Sequence, residues 1–490
     1  MIDPKHPLDH ARVVHIMLNR GQVLSLVGQN ERALADFQRG LLISGVIQDK
    51  KCQADCHLQS SDIYGSVNRY ADMLDSAEKS LLLYQSVDDE KGQSESLTNI
   101  GHVHNSLGDY SSGLEFYERS LNIQKTNDDQ TGQANSLNNI GTIYNKLGDY
   151  ARALECHASS LKIREEAGDL KGQANSLNNI GSVHYSRGDY ARALEHHPRS
   201  LRIREVIGDR KGQALSLNNV GTIYDKLGNY PQALEHYGKA MKIQEEVGDR
   251  EGQARSLNNI GAVHSILGNY PRALDCHGQA LKIRQEIGDR QGYAVSLNNL
   301  GTVQYKLGAH VPALEYYGRS LRIREEIKDR RGQAIILNNI GRVCLEQGRF
   351  REAREHLTRS EKLAREIKVN DISRRVCLSL AELEIWEGSA PAKAADLAET
   401  ALQLAGELNS QDGKAEALLL QARIEKNDDK FIEAAAIFDG LNQPMETARA
   451  CFYHGQAMGK PDRVMEARNI FQRLGLKNWV ERIDRLKIVR

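Results

Sequence analysis

Neither charge is in excess: lysine plus arginine number 65, and aspartate plus glutamate also 65. That removes the usual case for a nucleic-acid binder, which needs a basic surplus to displace counterions. Long apolar runs are missing as well. No window approaches the ~18 continuous apolar residues of a membrane span. Met1-Ile2-Asp3-Pro4-Lys5-His6 has no apolar signal core. No membrane insertion is expected, and the cytoplasm is the expected compartment. The seven cysteines stand singly, with only Cys52 and Cys56 close together. This is no secreted disulfide framework, and it fits a reducing environment. Catalytic signatures are lacking too. There is no phosphate loop, no nucleophile elbow and no His-Glu-x-x-His. Gly388–Lys393 lacks the second glycine and the hydroxyl of a phosphate loop. Neither an enzyme nor a cofactor is expected.

What the sequence does have is repetition. Ser136-Leu137-Asn138-Asn139-Ile140-Gly141 recurs with the same core at Ser176, Ser216, Ser256 and Ser296, always 40 residues on. Worn copies start at Ser96 and Ile336. A chain of 490 residues exceeds what one compact core normally holds. An array escapes that limit, because each unit packs only on its neighbours. Each half-repeat has helical apolar spacing. Gly148 supplies the turn, Gly168 suits a left-handed C-cap, and Asp169 is placed to cap the next helix. Three regions follow: degenerate hairpins over 1–90, seven regular units over 91–370, and divergent hairpins with a terminal cap (Trp479, Ile483, Leu486, Ile488) over 371–490. Asn68-Arg69-Tyr70 is expected at the turn of the second hairpin. Pro198 sits inside a second helix and predicts a kink or an interruption near Glu195.

The pattern Leu137, Gly141, Tyr144, Gly148, Tyr150, Ala153, Leu161 resembles the tetratricopeptide repeat, in a form longer than the usual ~34 residues. The 40-residue type is similar to the arrays of LGN/Pins and to repeat regions of bacterial signalling proteins. The resemblance implies an all-α fold, a right-handed α-solenoid of about twelve helical hairpins. It also implies a scaffold or adaptor that binds a peptide segment of a partner in a concave groove. The alternative it offers is a regulatory or sensor region acting on a cyclase, kinase or STAND ATPase.

On the helix 134–146, Ala134, Leu137, Gly141 and Tyr144 form one apolar stripe, and Ser136, Ile140, Ile143 and Leu147 a second. A third stripe, Asn135, Asn138, Thr142 and Asn145 with Lys146, is expected to line the groove. Across units it gives a ladder of Asn138, Asn178, Asn218, Asn258, Asn298 and Asn338. An amide carries a donor and an acceptor, so such a ladder suits the backbone of an extended peptide. Shared descent of duplicated repeats is the competing reading. Asn139 and its equivalents are assigned to packing. Lys146, Lys226, Lys306, Arg255 and Arg342, with Tyr185 and Tyr305, would select side chains and favour acidic segments. His157, His197 and His277 invite a metal or pH switch, but read more simply as half-buried aromatic substitutes. Cys52, Cys56 and His57 likewise read as packing. Arg164-Glu165-Glu166 reads as part of a solvated convex face.

Overall fold

The computed structural model describes residues 7–67, 69–367, 369–388, 390–408 and 410–486. Every regular element among them is an α-helix, twenty-five in all. None of the described helices is long and apolar enough to cross a membrane. Packing divides the chain into two compact units, Met1–Val183 and His184–Arg490. That boundary falls inside a helix, where the repeat itself continues unbroken. Asn68 and Ile488, expected at a turn and on the terminal cap, lie outside the described residues.

The N-terminal unit holds α1 (Pro7–Leu26), α2 (Asn30–Val46), α3 (Lys50–Ser66), α4 (Tyr70–Gln85), α5 (Glu90–Leu107), α6 (Tyr110–Thr126), α7 (Gln130–Leu147), α8 (Tyr150–Glu166) and most of α9 (Leu170–Ser186). The C-terminal unit opens with the end of α9. It continues through α10 (Tyr190–Val206), α11 (Arg210–Lys226), α12 (Tyr230–Glu246), α13 (Arg250–Ile266), α14 (Tyr270–Glu286), α15 (Arg290–Lys306) and α16 (His310–Glu326). Then come α17 (Arg330–Glu346), α18 (Phe350–Ile367), α19 (Asn370–Glu387), α20 (Pro391–Glu407), α21 (Gln411–Glu425), α22 (Asp428–Gly440), α23 (Pro444–Met458), α24 (Pro461–Arg473) and α25 (Lys477–Arg485). Within each unit an odd-numbered helix pairs with the even one after it, and that one packs on the next hairpin. This is the α-solenoid expected of the repeat.

The punctuation works as the sequence implies. Gly148 and Gly168 adopt positive φ (+81° and +67°), the left-handed conformation that costs glycine least. Asp129 and Asp169 accept from the backbone N–H of Gly132 and Gly172, each at 2.9 Å. Each such cap stabilises its helix by about 1 kcal/mol. Gly141 brings the two helices of a hairpin together: an added Cβ would lie 2.9 Å from His157 and 3.1 Å from the Ala153 carbonyl.

Three local expectations are corrected. Leu147 is exposed, because its stripe runs out at the hairpin turn. Helix α10 runs from Tyr190 to Val206 through Pro198, so the interruption expected near Glu195 does not occur. Buried Ala193, His197, Ser200 and Arg204 hold it on both sides of the missing N–H donor. Arg164 is buried rather than solvated. Its guanidinium donates to the Gly172 carbonyl at 2.7 Å and to Asn135 Oδ1 at 2.7 Å. Glycine at 172 makes the room, since a Cβ there would meet Arg164 Cδ at 2.5 Å.

Candidate functional site

The expected ladder lies on the odd-numbered helices, and much of it is buried. Asn178, Asn218, Asn258 and Asn338 are buried, from 3% exposed at Asn218 to 8% at Asn178. Asn138 Oδ1 lies 2.8 Å from His157 Nδ1, and Asn258 Oδ1 lies 2.9 Å from His277 Nδ1. Asn218 and Asn258 donate to Ser256 and Ser296 of the next repeat at 3.0 and 3.1 Å. These amides tie hairpin to hairpin and supply the polar partner of a buried histidine. Asn138 and Asn298 stay half-exposed and Asn338 lines the C-terminal cavity, so the stack takes up the ladder only in part. The amide one residue on is half-exposed in every unit: Asn99, Asn139, Asn179, Asn219, Asn259, Asn299 and Asn339. The accessible stripe is therefore 135, 139, 142, 146. Its 4-3-4 spacing is as helical as that of the stripe 134, 138, 141, 145 packed on the second helix.

The histidines take the packing role. His157, His197 and His277 are each 1% exposed, and burial pushes their pKa down to about 4. They are neutral at pH 7. His184 meets His196 rather than His197, stacked at 5.4 Å. Burial pushes the Cys52 and Cys56 thiols up to about 12, so both are protonated packing groups.

In the N-terminal unit, Asp62, Glu95 and His102 are exposed. Surrounding protein nevertheless raises the carboxyl pKa of Asp62 and Glu95 and lowers that of His102, desolvation being the largest cause in each. Accessible yet walled in is the property of a concave surface. Asn99 donates to Asp62 at 2.7 Å, and Asn179 donates to Asn138 at 3.1 Å. Lys146 donates to Asn105 at 2.9 Å and lies 5.5 Å from the Tyr110 ring. The Asn145 carboxamide oxygen is buried, although the residue as a whole stays half-exposed.

The C-terminal unit closes on itself. The Tyr230 hydroxyl donates to the Leu441 carbonyl at 2.9 Å, and the Tyr270 hydroxyl to Met445 Sδ at 3.2 Å. A side chain at the turn residues Gly268 or Gly308 would overlap Leu474 or Asn478. Tyr270 and Val303 thereby join one core with Phe452, Phe471 and Trp479. The terminal helix α25 does bury Trp479 and Ile483, but it also touches earlier turns.

This closure leaves a partly open cavity of about 370 Å³ with a neighbouring lobe of about 90 Å³. Lys306, Asn338 and Arg342 line the cavity, and Tyr305 lines the lobe. Arg342 lies 5.5 Å from the Tyr305 ring, whose hydroxyl donates to Glu346 at 2.5 Å. Burial lowers the pKa of Lys306, with Glu446 opposing. Against its own burial, Arg449, Lys306 and Arg342 hold the Glu446 carboxyl below the usual range. Elsewhere in the unit, Asp412 feels Lys226, and Tyr185 lies 5.7 Å from Tyr190. Burial pushes Asp225 up to about 6. Asn298 accepts from Asn339 at 2.9 Å. Arg255 is exposed and bonded to Glu251 at 2.8 Å, four residues earlier on its own helix. Sequence reasoning missed Glu382, Glu416, Glu446 and Arg449, which belong to the divergent hairpins and repeat nowhere.

Comparison with known proteins gives the following. The model of the tetratricopeptide repeat matches six overlapping windows, residues 92–166, 132–206, 172–246, 212–286, 252–326 and 293–366. No curated protein matches. Among solved structures, the apo form of RapI is similar at 15% identity and a TM-score of 0.48, over 56% of this chain and 99% of that one. A Rap protein complexed with competence and sporulation factor is similar at 15% identity and 0.48, over 78% and 99%. Aspartyl phosphate phosphatase F from Bacillus subtilis is similar at 15% and 0.43, over 73% and 95%.

Proposed function

The chain belongs to the tetratricopeptide repeat family, a family of protein-interaction scaffolds, and from that premise we propose that it holds an extended segment of a partner protein along the inner face of its N-terminal unit. The observation that carries this is the set Asp62, Glu95 and His102, accessible to solvent yet walled in by protein. Asn99, Asn139 and Asn179 run beside them at one rung per repeat. Their amides can pair with peptide backbone whatever its side chains. Asp62 and Glu95 favour a basic residue at that end. Lys146 remains the group for an acidic residue two repeats on. The role is binding without catalysis, in a reducing cytoplasm that suits seven free thiols.

The alternative, a regulatory region acting on a cyclase, kinase or STAND ATPase, is favoured by the self-closure of the C-terminal unit. A module with a closed and an open state can report occupancy.

A random twelve-residue peptide display library selected on the full chain tests the main reading. Selected peptides should carry lysine or arginine. They should lose at least ten-fold in affinity when Asn99, Asn139 and Asn179 are replaced together by Ala, with thermal unfolding nearly unchanged. Undiminished binding to that variant, or selection of peptides indifferent to Asp62→Lys, overturns it.

A further inference from the structure

The chamber inside the C-terminal unit has an unbalanced wall. Its cations are Lys306, Arg342, Arg374, Arg375, Arg423 and Arg449; its carboxylates are Glu382, Asp412, Glu416 and Glu446. The carboxylates are already engaged. Glu416 takes Arg374 at 2.7 Å, Glu446 takes Arg449 at 2.9 Å, and Glu382 takes Arg423 at 3.2 Å. Asp412 accepts from the Ser410 hydroxyl at 2.6 Å. Arg375 pairs with Asp371 at 3.3 Å.

Two cations are left over. Among the described residues neither Lys306 nor Arg342 forms an ion pair with a carboxylate. Lys306 reaches only the Ser265 carbonyl, at 3.5 Å, and Arg342 lies over the Tyr305 ring. They come from successive hairpins and face one recessed space. A third group is left unsatisfied beside them. Asn338 is 4% exposed, and its carboxamide oxygen has no partner among the described residues. A buried acceptor left without a donor is costly, and two half-buried cations with no carboxylate in direct contact leave room for an anion between them. Ile266, Leu419, Phe438 and Met445 supply apolar wall between the charges.

We propose that this chamber binds a small organic anion, its charged group held between Lys306 and Arg342 and a hydrogen-bond donor of its own directed to Asn338. The size of the chamber sets the class. About 370 Å³ is near the lower end of the roughly 300–1,000 Å³ of small-molecule sites. The contacts Tyr230–Leu441 and Tyr270–Met445 hold the far wall of the chamber in place. An anion that binds the closed state therefore holds the closure shut, by linkage. The inference is separate from peptide binding by the N-terminal unit, whose failure would leave it standing.

The test uses the full chain and a panel of small carboxylates (succinate, citrate, 2-oxoglutarate) and phosphate monoesters (glucose 6-phosphate, phosphoserine). Each is titrated by calorimetry and thermal shift against potassium chloride at matched ionic strength. The expected result is saturable one-site binding by at least one member with a raised unfolding temperature. The carboxylate and phosphate arms then separate the two anion types. Arg342→Ala and Lys306→Ala should each weaken binding at least ten-fold, while Lys239→Ala, exposed and paired with Glu235 outside the chamber, leaves it unchanged. Where circular dichroism shows Arg342→Ala misfolded, Arg342→Lys keeps the charge but not the fork and should still weaken binding. No saturable binding across the panel overturns the proposal. So does stabilisation matched by chloride, or equal binding by the Lys306 and Arg342 variants.

Discussion

Asp62 and Arg342 stand at the same position of the repeat, seven units apart. Asp62 looks onto an accessible concave surface and accepts from Asn99. Arg342 looks into a recessed chamber, over Tyr305. The backbone that presents the two is nearly the same. What differs is the chemistry across from each. In the N-terminal unit Asp62 stays exposed among the described residues, whereas in the C-terminal unit α22 to α25 come round and make the far wall. A repeat fixes where a side chain points, and the rest of its own unit decides whether that place is surface or interior.

The contrast can be broken most forcefully at the closure. Tyr270→Ala removes a side chain 1% exposed that reaches Met445. It should destabilise the C-terminal unit by about 3–5 kcal/mol. Hydrogen exchange should accelerate over α22 to α25, with α1 to α8 unchanged. Faster exchange in both units would mean that the closure is not a property of the C-terminal unit.

Acid comes next. The folded pKa of His157, His197 and His277 lies at about 4, below the unfolded value near 6.5. The contribution is therefore whole above pH ~6.5, and is lost as pH falls towards 4 because the unfolded chain takes up the protons first. Each buried histidine is worth on the order of 3 kcal/mol across that window. The C-terminal unit holds two of the three, so denaturant unfolding at pH 4.5 should weaken it more. His277→Tyr, which copies Tyr237 and Tyr317 at the same repeat position, should flatten the pH profile.

The two amide registers give a smaller, sharper pair. Asn258→Ala strips His277 of its partner and should cost about 1–3 kcal/mol. The half-exposed neighbour variant Asn259→Ala should cost less than about 0.5 kcal/mol. Equal costs would dissolve the distinction between stack and groove. Smaller still, Asp129→Ala loses the cap on Gly132 and about 1 kcal/mol. Chemical denaturation reads both.

Much of the fold was legible because its signals are local. Glycine at 148 and 168 and aspartate at 129 and 169 act within a few residues of themselves. The groove register was not legible: the stripes through Asn138 and Asn139 differ by a rotation of ~100°, and both fit a helical period. Choosing between them needs the location of His157, nineteen residues on. Buried Arg164 did leave a trace. Arginine recurs at 164, 204, 284 and 324, each eight residues before a glycine at 172, 212, 292 and 332, a small residue making room for a large one. The chamber left none, since Glu382, Glu416, Glu446 and Arg449 come from hairpins that share no spacing.

The bond from Tyr230 to Leu441 spans 211 residues, and it changes how this part of the chain must fold. An open array can nucleate at any hairpin and spread to its neighbours, as a row of coupled nearest-neighbour steps. A ring cannot finish that way. Its last contact joins distant parts of the unit, and that loop-closure entropy has to be met before the contact gives anything back. Refolding of the C-terminal unit should therefore end in a slow step in which hairpins already formed find their seat. A nascent chain on the ribosome would hold this unit unfinished until its final helices emerge.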